Sequence, residues 1–152
     1  MDDEMPPEFW QGVEQFNQQE FYACHDTLEA IWINALPGDK NFFQGILQIA
    51  VALYHLGNAN WRGAVTLLGE GIHRLYAYPA DYGGIDVDGL IAASAMLLQQ
   101  LQQQGAEQVS AIAQQLRATP SATHPPETPG LQLPQIQLLS RCPQQSDQRD
   151  VR

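Results

Sequence analysis

Basic residues are scarce in this sequence: seven Lys and Arg stand against 17 Asp and Glu, a formal net charge of −10. Sequence-independent nucleic-acid binding depends on clustered Lys and Arg that neutralise phosphates, so this balance argues against it. It argues equally against docking on an anionic membrane surface. Long apolar runs are missing too. No stretch approaches the roughly 20 apolar residues of a bilayer-spanning helix, and the acidic start Met1-Asp2-Asp3-Glu4 is unlike a signal peptide. Cys24 and Cys142 are the only cysteines, and they have no motif spacing. A CxxC metal site and a disulfide are therefore not indicated, and a reducing, cytoplasmic location is expected.

Several reaction signatures are absent as well. There is no glycine-rich phosphate loop and no G-x-S-x-G nucleophile elbow. His25 and Glu29 have the wrong order and spacing for H-E-x-x-H. A helical magnesium pyrophosphohydrolase needs several carboxylates at helical spacing, and Glu29 is the one carboxylate read as leaning inward. Ser94, a candidate nucleophile by type alone, is placed at a surface-like helix position.

What is present is helical spacing of apolar residues through the first 117 positions, which predicts an all-α fold: a single bundle of five or six helices. Pro6 and Pro7 suit the first turn of a helix starting near Glu8, with Phe9, Trp10, Val13 and Phe16 as its apolar side. A break near Asn17–Gln19 precedes a second helix from Glu20, which should stop before Pro37-Gly38. Asp39 is the expected N-cap of a long apolar helix that ends at Gly57-Asn58. The four-residue connector makes the next helix its antiparallel neighbour. There Trp61, Ala64, Val65, Leu68, Ile72, Leu75 and Tyr76 form the apolar face, and Glu70 and Arg74 a surface pair. Gly63, Gly69 and Gly71 point to close helix approach, with Gly69 read as a glycine the helix simply tolerates. Asp86 caps a helix that runs into Gln99–Gln104, and Val109, Ile112, Ala113 and Leu116 make the last one. Residues 1–118 are thus read as the bundle. From Thr119 the prolines, with Ser, Thr and Gln between them, predict a flexible Pro/Gln-rich tail, 119–152. Leu131, Leu133, Ile136, Leu138 and Leu139 form an apolar island in it, read as folding back on the bundle in preference to binding a partner.

The chemistry-bearing residues lie on the second and third helices. At 100° per residue, Phe21, Cys24, Leu28, Ile31 and Trp32 share one arc. His25 sits at its edge, Glu29 a little further round and Asp26 outside it. On the next helix Gln44, Gln48 and His55 fall in a sector of about 40° on an otherwise apolar surface. If that sector faces the second helix, His25, Glu29, Gln44, Gln48 and His55 form one inward polar cluster. His25, Glu29 and His55 would then suit a divalent transition metal with open positions. Three uses compete. The favoured one is a binding or protein-interaction module, with a protein partner or second copy, in which a His25–Glu29 contact fixes packing. A metal site on His25, Glu29 and His55 comes next. An enzyme using His25 and Glu29 as an oriented base, or the metal, comes last.

The phrase F-Y-x-C-H-D-x-L-E-x-I-W (Phe21–Trp32) carries a resemblance. With it go Phe43-x-Gly45-x-x-Gln48-x-Ala50-x-Ala52-x-Tyr54-His55 and Gly57-Asn58-x-Asn60-x-x-Gly63-Ala64. Together they resemble the DUF309 proteins, small all-helical domains without an established function. The resemblance covers about Phe9–Leu98 and implies a fold. The family pattern has H-E where this chain has His25-Asp26, and since Asp26 points away from the apolar arc, the swap is expected to leave the site alone.

Overall fold

The computed structural model describes residues 5–118 and 133–139. Six α-helices follow one another: α1 Pro7–Asn17, α2 Phe21–Ile33, α3 Pro37–Gly57, α4 Trp61–Leu75, α5 Val87–Gln104 and α6 Val109–Ala118. Among the described residues there is no strand, only an isolated antiparallel bridge between Ile85 and Leu138.

Local chemistry sets the helix ends. Pro7 and Pro37 occupy first-turn positions, where a missing N–H costs nothing and φ is already helical. That choice moves the start of α3. Its N-cap is Leu36, and Asp39, expected to be the cap, lies in the first turn, where its charge still favours the positive helix end. Asn60 caps α4 by accepting from Gly63 N at 3.0 Å, and Asp86 caps α5 by accepting from Gly89 N at 2.9 Å. Gly105, at φ +80, ends α5 in backbone geometry that suits glycine.

The long helix α3 is the centre, buried along ten of its positions from Phe42 to Leu56. It packs most extensively on α4 and then on α2, while α1 leans on α2 and α5 on α4. Glycine allows the α3–α4 approach. A Cβ on Gly71 would stand 2.7 Å from the carbonyl oxygen of Gly45 and 2.7 Å from Ile49 Cγ1, closer than such atoms approach. Gly69, as expected, has open space: the nearest atom is 3.9 Å away. Phe9, Phe16, Leu28, Phe42, Ile46, Ile49, Leu68 and Leu75 fill the interior.

Two expectations about single residues are corrected. Ser94 is fully buried in α5, and its Oγ finds no hydrogen-bond partner among the described residues. It lies on the buried side of α5, between Ile91 and Leu97. Tyr76, read as part of the apolar face of α4, is the C-cap of that helix and is 66% exposed. Of the tail 119–152, residues 119–132 and 140–152, with Leu131 among them, lie outside the described residues. Residues 133–139 are described and lie on the bundle, with Ile136 buried and Leu133 packed against the core.

Candidate functional site

Two polar regions emerge where one was expected, and they lie on different sides of α3. The first is the outer edge of α2. Helical spacing buries Phe21, Cys24 and Leu28 and leaves the next residues round at the rim. The His25 side chain is 23% exposed, and Glu29 and Asp26 are well exposed. This corrects the inward reading of Glu29: among the described residues α2 packs chiefly on α3 and α1, and a residue past the edge of its apolar arc meets water. Asp26, set aside because it points away from that arc, is brought into contact instead. His25 Nδ1 lies 3.2 Å from Asp26 Oδ1, and His25 Nε2 lies 3.8 Å from Glu29 Oε1.

An ionised carboxylate can only accept, so in the neutral ring the Nδ1 proton goes to Asp26 and Nε2 keeps its lone pair. That pair faces Glu29 at a distance too long for a hydrogen bond. Among the described residues, His25, Asp26 and Glu29 form a group in which one donor atom from each lies within 4.8 Å of the others.

Aromatic rings extend this rim onto α3. Tyr22 stacks on His25 with centroids 5.7 Å apart and meets Tyr54 at 5.2 Å. Tyr54 in turn lies 6.1 Å from the His55 ring. Tyr22 is 56% exposed and Tyr54 41%. Neither tyrosine stands out in the sequence as a site residue, and the i,i+3 spacing of Tyr22 and His25 is the signal that places them together. Beneath the rim the Cys24 thiol is buried, and loss of hydration pushes its pKa up to about 12. At the far end of α2, Lys40 Nζ sits 4.5 Å from the centre of the Trp32 ring.

The second region is the seam between α3 and α4. The polar sector of α3 faces α4, not α2, so Gln48 and His55 do not join His25. Gln48, which is buried, donates to Glu70 Oε1 at 3.1 Å and accepts from Arg74 Nε at 2.8 Å; Arg74 Nη1 also donates to Asn41 Oδ1. Glu70 and Arg74, expected to form a surface pair, are thus both engaged by Gln48. At the end of the seam Asn60 Nδ2 lies 3.3 Å from His55 Nδ1. Asn60 Oδ1 is committed to its cap on Gly63, so its amide nitrogen faces the ring and donates to it. His55 Nδ1 is therefore an acceptor, already used. The imidazole is also pressed against α4, since a Cβ on Gly63 would meet it at 2.9 Å. Gln44, on the same sector, is half-buried.

Of the five residues expected to cluster, the structure brings His25 and Glu29 together. It assigns Gln48 and His55 to the α4 seam, with Gln44 on the same stripe. Part of this packing resembles a known domain. Residues 9–67 match DUF309, a domain of unknown function. The matched segment covers most of α1, all of α2 and α3 and the first half of α4, and so holds the whole His25 rim but stops short of Glu70 and Arg74. Over 66 residues, 43% of its length, this chain is 36% identical to the uncharacterised protein YpuF of Bacillus subtilis (strain 168). The match spans 38% of YpuF, so the chain covers well under half of that relative. No solved structure matches. Among the described residues no helix is long and apolar enough to cross a membrane.

Proposed function

We propose that this chain is a non-enzymatic binding module whose ligand face is the α2–α3 rim around His25, and that the face takes a divalent transition metal. One observation carries the reading. The His25 ring is oriented at Nδ1 by Asp26, while Nε2 and Glu29 Oε1 stand 3.8 Å apart and unbonded to each other. Metal-bound histidines characteristically hand their other ring proton to a carboxylate, which fixes the tautomer and sharpens the donor. Bonds of about 2.0–2.2 Å from zinc to nitrogen and oxygen fit a gap of that size.

Two protein ligands leave coordination positions open, and water or a partner's side chain completes them. Tyr22 and Tyr54 favour the latter, since exposed tyrosines beside a polar centre suit a contact surface for a protein partner or a second copy. The reading needs no bond-making step. A packing role for the His25–Glu29 contact is not favoured, because Glu29 is 51% exposed and the two atoms are too far apart to hydrogen-bond.

The test is a zinc titration of the full chain with melting temperature as readout. Zinc should raise the wild-type melting temperature and leave that of His25→Ala unmoved, with Glu29→Gln intermediate. Asp26→Asn should weaken the shift without abolishing it. An equal shift in wild type and His25→Ala, or none in either, would overturn the proposal. Mass in solution with and without zinc reads out whether the open positions recruit a second copy.

A further inference from the structure

The segment 133–139 is held on the bundle through its main chain. Asn17, the last residue of α1, uses its carboxamide on both sides of one residue. Its Nδ2 donates to the Ile136 carbonyl at 2.9 Å, and its Oδ1 accepts from the Ile136 N–H at 2.7 Å. On the other side the loop before α5 supplies backbone: Asp86 N donates to the Gln137 carbonyl at 2.9 Å, and Leu139 N donates to the Gly84 carbonyl at 3.0 Å. Ile85 and Leu138 form the antiparallel bridge between them. The segment thus sits in a groove with one wall from α1 and one from the loop 84–86.

Its side chains alternate as in an extended peptide. Pro134 and Ile136 point in and are buried, while Gln137 and Leu138 are exposed. Ile136 joins the hydrophobic interior at 2% exposure. Such a division of labour is the chemistry of peptide recognition by strand addition: main-chain bonds give affinity for any extended backbone, and a pocket selects alternate side chains. A carboxamide that offers one donor and one acceptor to a single peptide unit reads backbone, not sequence. Selectivity falls to the pocket, which takes a branched aliphatic side chain with proline two residues before it.

We infer that the groove between Asn17 and Gly84–Asp86 is a peptide-binding site for an extended Pro-x-aliphatic segment. Residues 133–139 occupy it in cis, and the same residues of a second copy occupy it in trans. The occupant is complementary by construction. Exchange between copies forms the same four main-chain bonds and buries the same isoleucine, which is why swapped elements cost little once the intramolecular one is displaced. In a single chain the tethered copy competes at an effective concentration on the order of mM, so the cis form prevails at ordinary concentrations.

The test uses the full chain carrying Ile136→Asp, which empties the groove, and a fluorescent peptide of residues 133–139 read by anisotropy. The peptide should bind this variant at least about tenfold more tightly than it binds wild type, where the tethered segment competes. Adding Asn17→Ala to the same chain should cost about tenfold of that affinity. Mixing the Ile136→Asp chain with the Asn17→Ala chain, each monomeric alone, should give a heterodimer by mass in solution, one supplying a groove and the other a free segment. Equal binding of peptide to wild type and variant, or none to a folded variant, would overturn the site. Peptide binding without the heterodimer would overturn exchange between copies. If neither Ile136→Asp nor Ile136→Ser melts cooperatively, the segment is a fixed part of the interior, and the inference fails.

Discussion

The two polar regions flanking α3 use similar residue types to opposite ends. In the α3–α4 seam every polar atom that matters has been given a partner from the protein: Gln48 bridges Glu70 and Arg74, Arg74 reaches Asn41, and Asn60 occupies His55 Nδ1. On the α2 rim His25 has one ring nitrogen oriented by a carboxylate and the other turned to a carboxylate it does not bond. Burial explains the difference. A buried amide without partners loses its hydration for nothing, so the seam must be satisfied internally. A side chain at the rim keeps water, which a ligand can replace at small cost. Polar residues with a completed hydrogen-bond set read as structure, and those oriented but left incomplete read as a site.

If that comparison holds, mutations in the seam should cost stability and mutations on the rim should not. The largest effect is expected at the closest approach. Gly71→Ala places a methyl 2.7 Å from the Gly45 carbonyl oxygen and must push α3 from α4. A loss of about 3 kcal/mol is expected in denaturant unfolding, at the upper end for overpacking. Gly69→Ala, two residues away with open space, should be neutral or stabilising by up to about 1 kcal/mol through helix propensity. Equal losses at the two glycines would show that the seam is not tight where α3 and α4 cross.

Next comes the hydrogen-bonded part of the seam. Arg74→Ala strips the buried Gln48 carbonyl oxygen of its donor and Asn41 of its partner. About 2 kcal/mol should be lost, the cost of leaving buried polar groups unpaired. Gln48→Leu removes the buried amide instead and should cost less, because an apolar group of similar shape has no hydration to lose. Were Gln48→Leu the worse of the two, Gln48 would be holding something other than Arg74 and Glu70.

A pH-dependent effect separates the rim from what lies beneath it. Cys24 keeps its proton in the folded chain up to about pH 12, against 9.0 as the ordinary value. Between those values the unfolded chain has released the proton and the folded chain has not, so stability is full below pH 9 and declines as pH rises towards 12. The slope is at most about 1.4 kcal/mol per pH unit from this group. Cys24→Ala should flatten that part of the alkaline profile. In the wild type Cys24 should also resist alkylation at pH 8 until the protein unfolds; rapid labelling of the folded chain would mean that the rim opens.

How far the sequence foretold this arrangement depended on what each element faces. Six helices, their glycine contacts at Gly71 and Gly63, and the Asp86 cap follow from spacing and local chemistry, which a single chain displays. The His25–Glu29 neighbourhood was legible for the same reason, since residues four apart on one helix are neighbours whatever surrounds them. The direction of the Gln44–Gln48–His55 sector was not, because helical phase tells which residues share a face and not which helix that face meets. Ser94 failed similarly: a small hydroxyl between apolar neighbours fits either a surface or an interior position. Asp26 was discounted on its angle alone, although an adjacent residue can still reach the ring of His25. The docking of Ile136 on Asn17 joins residues 119 apart, a separation no local pattern spans.

The smallest expected change is the most telling. Had His25 and Glu29 been an inward pair that fixes packing, His25→Ala would strand a partly buried carboxylate and cost about 1–3 kcal/mol. The Glu29 side chain is instead 51% exposed and 3.8 Å from the ring, so water already solvates it. What the substitution removes is the contact with Tyr22 and the bond to Asp26. The latter is an exposed pair between adjacent residues, and such pairs contribute little. Alanine also has a higher helix propensity than histidine, which offsets part of the loss. His25→Ala should therefore unfold within about 0.5 kcal/mol of wild type, the range of ordinary surface changes. The same protein should have lost its response to zinc. A near-zero change in stability joined to a complete loss of metal response is what sets the rim apart from the seam. A loss above about 1 kcal/mol in the metal-free His25→Ala chain would place His25 with the residues that hold the fold together.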